Sequence, residues 1–207
     1  VIKTTTSGYD GKGQVVIEPG KINKAAIEII ENTECIVEEF QEFDSEVSII
    51  ASRGESGSIL TYDSGANLHK NGILIKTTVP SKLRKELEIE LALIAGKILN
   101  KLDYIGVMGI EFFVTSQGLI LNEFAPRVHN SGHWTLDGCL INQFEQHIRA
   151  ISGWPLGSTK RHSNIVMTNI IGEKITADIK ENQSIYSYGK KEIRSGRKMG
   201  HINTIYE

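Results

Sequence analysis

The hydrophobic and polar positions in the first part of the chain follow the periods of short strands and of one helix. β-type runs at residues 1–5 and 14–17 flank a glycine-containing loop, which predicts a hairpin. Between Lys21 and Thr33 the apolar residues recur every three or four positions, which predicts a helix. Further strands are predicted at residues 35–40, 46–53, 58–62 and 72–79, the last two on either side of a polar loop that contains Asn67-Leu68-His69.

The second half opens with the longest predicted helix. Ser81 is its predicted N-cap, and leucines and isoleucines then step by three or four residues to residue 102. Two β-type runs, 106–115 and 119–124, are separated only by Ser116-Gln117-Gly118, which predicts a hairpin with a three-residue loop. After a polar loop, a second long helix is predicted at 136–151, and strands at 164–171 and from 184 onward. This mixture indicates an α+β fold.

The composition is that of a folded protein and narrows the possible partners. Apolar residues make up 40% and charged residues 23% of the 207 positions, which excludes a disordered tail or a fibre. The formal net charge is -2 without a run of like charge, so we expect no nucleic-acid partner. A membrane partner is not expected either, because no run of about 18 apolar residues occurs. Cys35 and Cys139, far apart and in no metal-type spacing, favour a reducing cytoplasm.

The hairpin at 106–124 contains two carboxylates that need compensation. If its loop is centred on Gln117, residues whose numbers sum to 234 are paired, and Glu111 then lies opposite Glu123. Two like charges at directly opposed positions repel each other. In otherwise apolar strands we therefore expect a cation that compensates them. Carboxylate oxygens indicate Mg²⁺ beside nucleotide phosphates, to which Asn122 could add a carbonyl oxygen. The alternative is a solvent-facing polar pair at a sheet edge.

The glycine loop at residues 7–13 is a weaker signal for phosphate binding. It lacks the P-loop and dinucleotide-binding patterns, but glycines allow backbone N–H groups to approach phosphates. Lys3 and Lys12 would add positive charge. The alternative is an ordinary turn.

Two further segments carry candidate polar chemistry. Residues 127–133 begin four positions after Glu123, which would bring an anion-binding candidate beside the metal candidate. His129 and His133 are four apart, but Gly132 and the nearby proline argue against a helical zinc pair. The turn at 190–198 holds five positive charges in nine residues, either as a solvated hairpin or as a phosphate site.

Three segments together resemble the ATP-grasp superfamily and, within it, the N5-carboxyaminoimidazole ribonucleotide synthetase family. They are Gly8-Tyr9-Asp10-Gly11-Lys12-Gly13-Gln14, residues 122–135 (NEFAPRVHNSGHWT) and residues 194–201 (RSGRKMGH). The middle segment is the most specific, and the order and spacing of all three agree along essentially the whole chain. Two positions depart from the family pattern: Ser7 replaces a common glycine, and Ser195 replaces a usual proline.

The resemblance implies a set of site residues. Those implied for ATP are Lys3, Gly8, Tyr9, Asp10, Gly11, Lys12, Gly13, Gln14, Glu38, Glu39, Phe40, Gln41, Glu46, His69, Asn122 and Glu123. The implied magnesium ligands are Glu111 and Glu123. Bicarbonate or carboxyphosphate would face Arg127, His129 and Asn130. Aminoimidazole ribonucleotide and its phosphate would be bound by Tyr9, Lys12, Lys190 and Arg197, with Lys191 as the alternative to Lys190.

The resemblance also implies a reaction and an organisation. ATP would phosphorylate bicarbonate to carboxyphosphate, and the N5 amine of aminoimidazole ribonucleotide would capture the carboxyl group in purine biosynthesis. We expect a partial ATP-grasp domain at 1–160, a small β-rich domain at 161–207, and a homodimer. The chain begins with Val1 inside a predicted strand, so we expect a C-terminal piece of a longer enzyme that is inactive by itself.

Two other functions remain open from the sequence. Formate-dependent glycinamide ribonucleotide transformylase uses the same fold through formyl phosphate, and the required acid, bicarbonate or formate, would distinguish the two. A nucleotide-binding or subunit-contact module without catalysis is the other alternative.

Overall fold

The computed structural model describes residues 1–6, 8, 12–21, 23–176 and 178–207. Its helices are α1 (Lys24–Asn32), α2 (Lys85–Lys101), α3 (Thr135–Gly138) and α4 (Gln143–Ile151), with a 3-10 turn at Asn130–Gly132. Its strands are β1 (Ile2–Thr4), β2 (Gln14–Val15), β3 (Cys35–Val37), β4 (Ser45–Arg53), β5 (Ile59–Thr61), β6 (Gly65–Lys70), β7 (Ile73–Val79), β8 (Gly106–Thr115), β9 (Gly118–Ala125), β10 (Asn164–Ile171), β11 (Gln183–Ser187) and β12 (Lys198–Tyr206). The predicted α+β class is confirmed.

The chain divides into two compact units. The first comprises Val1–Glu42 and His69–Leu74, and the second Phe43–Leu68 and Ile75–Glu207. In the first unit, β1 lies between β2 and β3 and pairs antiparallel with both, as the predicted hairpin requires. Helix α1 begins after Asn23, whose side chain accepts a hydrogen bond from the Ala26 N–H at 2.8 Å. Strand β3 ends at Val37, three residues earlier than predicted.

The core of the second unit lies between helix α2 and the sheet. Among the described residues this sheet has nine strands, in the order β11-β12-β10-β7-β6-β4-β8-β9, with β5 attached to β4. Leu91, Ala95 and Leu99 recur on one face of α2 and are fully buried. They pack with Met108 and Ile110 of β8. Of the predicted apolar stripe, Leu91 is fully buried and Leu83, Leu87, Ile94 and Ile98 pack against the core in part, whereas Leu102 is 52% exposed.

The predicted polar loop around Asn67-Leu68-His69 is wrong, because these residues belong to strand β6. β6 lies between β4 and β7, so its backbone is paired on both sides. Asn67 is accommodated there because its amide oxygen accepts a hydrogen bond from Thr77 at 2.9 Å. The polar residues of this segment therefore belong to a polar surface of the sheet and do not indicate a loop. The connection to β7 is the two-residue turn Asn71-Gly72, in which both residues have positive φ.

Two predicted helix boundaries are also wrong. Helix α2 begins at Lys85 after Arg84, and Ser81 instead accepts a hydrogen bond from the Leu83 N–H at 3.2 Å. The long helix predicted at 136–151 is two helices, because Cys139 is extended and ends α3. Asn142 then caps α4 by accepting hydrogen bonds from two backbone N–H groups.

The predicted strands after residue 164 are confirmed. β10 pairs antiparallel with β7 and β12, and β11 extends the sheet beyond β12. No helix in the described part of the chain is long and apolar enough to span a membrane.

Candidate functional site

Glu111 and Glu123 are directly opposed across β8 and β9, as predicted, but the loop that places them differs. Thr115 pairs with Gly118, so the turn holds only Ser116 and Gln117, and pairs near it sum to 233. A register shift between Glu111 and Phe112 then leaves Asn122 as an extra residue on β9 and restores the sum of 234. The three-residue loop is therefore wrong, and the predicted pair results from a β-bulge at Asn122.

The two carboxylates have unequal surroundings. Glu111 is 7% exposed, with the Asn67 side-chain amide 3.5 Å from its Oε1. Glu123 is exposed, and β9 is the last strand on its side of the sheet. Phe124, next to Glu123, is also 44% exposed, so the apolar residues of β9 do not enclose Glu123. The alternative of an edge location is therefore right for Glu123 but not for Glu111.

An imidazole stands beside the two carboxylates. One ligand atom each from Glu111, Glu123 and His129 lies within 4.8 Å of the others, and His129 Nδ1 is 3.8 Å from Glu111 Oε1. Two opposed carboxylates, one of them buried, repel unless a cation lies between them. The donor set therefore fits a divalent metal ion, with oxygen ligands of the kind that Mg²⁺ takes.

Two neighbouring residues fix the backbone of His129. A Cβ at Gly109 would lie 2.3 Å from the His129 Cβ, so β8 needs glycine there for the loop to approach. Gln143 is fully buried at the start of α4. Its side chain accepts from the His129 N–H at 2.9 Å and donates to the His129 carbonyl at 2.7 Å. The histidine is thereby held from two sides.

Asn130 is fixed by the C-terminal strands. Its side-chain amide exchanges two hydrogen bonds with that of Asn169 on β10, at 2.9 and 2.7 Å. Asn203 on β12 donates to the His133 carbonyl at 3.1 Å. The segment 129–133 is therefore tied to β10 and β12 as well as to α4.

His133 and His201 form the buried end of this contact. Their rings lie 4.9 Å apart, and His201 also stacks on Tyr186 at 4.7 Å. Burial, with smaller contributions from His201 and Lys198, lowers the pKa of His133 to about 3. Burial lowers the pKa of His201 to about 4. His133 Nδ1 lies 2.9 Å from the Gln143 amide nitrogen, so this ring serves the packing of the loop.

In the first unit, the structure brings together two residues implied for ATP. Lys3 on β1 forms an ion pair of 2.5 Å with Glu38, which directly follows β3. Glu39 and Phe40 are exposed and Gln41 is half-buried. The ammonium group thus already has an anionic partner that a phosphate would have to replace.

The described glycines of the loop are constrained by its own packing. A Cβ at Gly13 would lie 2.6 Å from the Thr4 hydroxyl, and one at Gly8 would lie 3.4 Å from the Lys12 carbonyl. Gly13 also has a φ of +76°. Lys12 and Gln14 are exposed. The predictions on Tyr9, Asp10 and Gly11 fall outside the described residues, as does Ser7.

The remaining residues implied for the nucleotide lie on the strands. Glu46 is half-buried on β4, where its partner on β8 is Phe113. His69 is half-buried on β6 and is grouped with the first unit. Asn122 is the bulge residue, and Arg127 is exposed, with its guanidinium 3.1 Å from the Val128 carbonyl.

The basic turn between β11 and β12 is partly neutralised by its own acid. Glu192 pairs with Arg194, and its carbonyl accepts from the Arg197 guanidinium at 3.2 Å. Lys190 and Lys191 are both exposed, and Lys190 donates to the Lys198 carbonyl at 2.7 Å. The side chains of Lys190 and Arg197 therefore both donate hydrogen bonds to backbone carbonyls of the same turn.

Sequence reasoning missed Gln143, Asn169 and Asn67. Gln143 and Asn169 lie in elements that were predicted only from their apolar positions, and Asn67 was assigned to a polar loop. The sequence offers one signal, and it concerns Gln143: this residue directly follows Asn142, the N-cap of α4, and is therefore the first residue of the helix. Nothing in the local pattern indicates that its amide turns inward.

Comparison with known families identifies the class. A family model described as the ATP-grasp domain matches residues 1–144. A second, the phosphoribosylaminoimidazole carboxylase C-terminal domain, matches residues 165–207. The chain belongs to the ATP-grasp family, and the predicted ATP-grasp fold with a β-rich C-terminal part is confirmed.

Its relatives confirm the narrower resemblance. The chain is 49% identical over 99% of its length to N5-carboxyaminoimidazole ribonucleotide synthase of Brucella melitensis, and covers 59% of that protein. It is 41% identical over 98% of its length to the Bacillus subtilis protein of the same name, covering 55% of it. The chain therefore spans little more than half the length of these curated relatives.

Solved structures agree. N5-carboxyaminoimidazole synthetase of Staphylococcus aureus complexed with ADP superposes with a TM-score of 0.86 at 35% identity, covering all of this chain and 57% of that one. The Aspergillus clavatus enzyme in complex with ADP and 5-aminoimidazole ribonucleotide gives 0.82 at 28% identity, covering 88% of this chain and 52% of that one.

Proposed function

We propose that the chain forms the ATP-grasp and C-terminal part of an ATP-dependent carbon–nitrogen ligase. The enzyme carboxylates 5-aminoimidazole ribonucleotide with bicarbonate, through carboxyphosphate, in de novo purine biosynthesis. The observation that carries the proposal is the opposed pair Glu111 and Glu123, with the fixed segment 129–133 beside it. The names of the relatives supply the substrates.

Glu111 and Glu123 would hold Mg²⁺ at this site. The chemistry that the ion would supply there is neutralisation of phosphate charge. Arg127, His129 and Asn130 face bicarbonate and the acyl phosphate formed from it. The backbone clamp at His129 and the amide pair at Asn130 keep these groups in place before substrate arrives, which lowers the cost of ordering them.

The nucleotide and the ribonucleotide use the remaining residues. Lys3 and the loop 8–14 hold ATP phosphates, with Lys3 exchanging Glu38 for a phosphate oxygen. Further contacts to ATP come from Glu38, Glu39, Phe40, Gln41, Glu46, His69, Asn122 and Glu123. The ribonucleotide is bound by Tyr9, Lys12, Lys190 and Arg197. A guanidinium at 197 suits its phosphate because it can donate two parallel hydrogen bonds.

The organisation follows the same proposal. The ATP-grasp domain extends to about residue 160, and 161–207 form the small β-rich domain, in line with the two family matches at 1–144 and 165–207. The two free cysteines agree with the cytoplasm. We also propose that the enzyme is a homodimer, and the only support for this is the family resemblance.

A chimera tests this function. The 207 residues replace the matching segment of the Brucella melitensis relative, which supplies the part that the chain does not span. We expect ADP release that requires both bicarbonate and aminoimidazole ribonucleotide. ADP release that requires formate and glycinamide ribonucleotide would support the transformylase alternative. No turnover, in a chimera that folds and binds ATP, would support the non-catalytic alternative.

A further inference from the structure

We propose that His129 Nδ1 is a third ligand when this centre binds a transition-metal dication. The nitrogen makes the site prefer Mn²⁺ and Co²⁺ over Mg²⁺ beyond what two carboxylates provide. The inference rests on the metal centre proposed above and adds the residue that sets its metal preference.

The ring nitrogen is near enough to share an ion with the carboxylates. Two donors that are each ~2.1 Å from a metal lie roughly 3 Å apart when adjacent and about 4.2 Å apart when opposite. The distance from His129 Nδ1 to Glu111 Oε1 is 3.8 Å, and a ring nitrogen of His129 lies within 4.8 Å of a carboxylate oxygen of each glutamate. Small side-chain rotations would close this group around one ion.

The position of the ring is set by the fold. Gln143 holds the His129 backbone through both its N–H and its carbonyl. Gly109 gives the space in which the His129 Cβ lies against β8. Counting side-chain atoms alone, His129 is 12% and Glu111 9% exposed, so both side chains are largely withdrawn from solvent. Little conformational freedom remains to be lost when an ion binds.

The present hydrogen bond of the ring is compatible with this role. The buried Ser131 hydroxyl lies 2.8 Å from His129 Nδ1 and can donate to a lone pair there. The same lone pair is what a metal needs, so an ion takes the place of the hydroxyl hydrogen. Mg²⁺ favours oxygen ligands and leaves the ring to the acyl phosphate, whereas imidazole suits later first-row metals.

The test compares two metals in the 207-residue chain. Mn²⁺ binding is followed by electron paramagnetic resonance, and Mg²⁺ by its competition with Mn²⁺. Pulsed measurements on bound Mn²⁺ detect a coordinated nitrogen directly. His129→Phe keeps a ring against Gly109 but removes the nitrogen, and His129→Ala is the second variant. His162→Phe, at an exposed histidine, is the matched control.

We expect His129→Phe to weaken Mn²⁺ binding at least tenfold, to change Mg²⁺ binding less than about threefold, and to abolish the nitrogen signal. The control should change none of these. Equal weakening of both metals, or a nitrogen signal that persists, would overturn the role of His129. Glu123→Gln should weaken both metals. If it weakens neither, the metal centre itself fails, which is a separate result.

Discussion

Gln143 is the residue on which the geometry of the 129–133 segment most depends. Gln143→Met keeps the length of the side chain but leaves the His129 N–H and carbonyl without their buried partners. We expect a loss of about 2–4 kcal/mol in the free energy of unfolding, measured by urea denaturation, because buried unpaired polar groups are costly. Gln117→Met, in the exposed β8–β9 turn, is the control. Equal effects of the two substitutions would contradict this role for Gln143.

His133 and His201 predict an acid-sensitive stability. Their pKa values of about 3 and 4 lie below the usual 6.5, so the unfolded chain binds protons that the folded chain does not. Stability is therefore fully present above pH 6.5 and is lost as the pH falls toward 4. Between pH 7.5 and 5 we expect a loss of about 1–2 kcal/mol per histidine.

Urea denaturation at the two pH values measures this loss. His201→Gln should reduce the pH dependence by roughly half, since one of the two buried rings is removed. His162→Gln, at an exposed position, should leave it unchanged. An unfolding free energy that does not fall between pH 7.5 and 5 would mean that the two histidines are not buried in their neutral form.

At the scale of elements, the break between α3 and α4 depends on Asn142. Its side chain accepts hydrogen bonds from the Phe144 and Glu145 N–H groups at 3.0 and 3.1 Å. We expect Asn142→Ala to lower the unfolding free energy by about 1 kcal/mol and Asn142→Asp to restore most of it. Thermal or urea denaturation decides between these outcomes. Unchanged stability of Asn142→Ala would remove the cap as the reason that α4 starts there.

The elements show what a sequence pattern can and cannot predict. Apolar periodicity was sufficient for α1 and α2 as helices and for the long strands β4, β8 and β10. It failed at β6, because the polar Asn67 faces polar neighbours within the sheet. It also failed at the bulge, because an extra residue such as Asn122 changes the register without changing the composition.

The site divides in the same way. Glu111, Glu123 and the segment 127–133 could be predicted from residue type and spacing, because charged residues in apolar strands are unusual. The supporting residues Gln143, Asn169 and Gly109 could not. Their roles depend on contacts between segments that are far apart in the chain, such as the 39 positions between Asn130 and Asn169.

At the scale of the molecule, residues 165–207, which match the C-terminal domain model, share a sheet with the rest of the second unit. β10 pairs with β7, and Asn169 and Asn203 bond to the 129–133 segment. We therefore expect a peptide of residues 161–207 to be unfolded by circular dichroism and amide-proton dispersion, since it lacks these partners. Cooperative unfolding of the isolated peptide would show that it is an independent domain.

The central claim is that Glu111 and Glu123 form the metal centre of an ATP-grasp ligase. The most direct measurement is Mg²⁺-dependent ADP release by the chimera and by its Glu111→Gln and Glu123→Gln variants, with melting curves to show that each is folded. Glu181→Gln, at an exposed position, is the control. We expect each site variant to lower kcat by roughly a hundredfold or more, and the control to stay within about twofold. Near-normal kcat in both site variants would contradict the account.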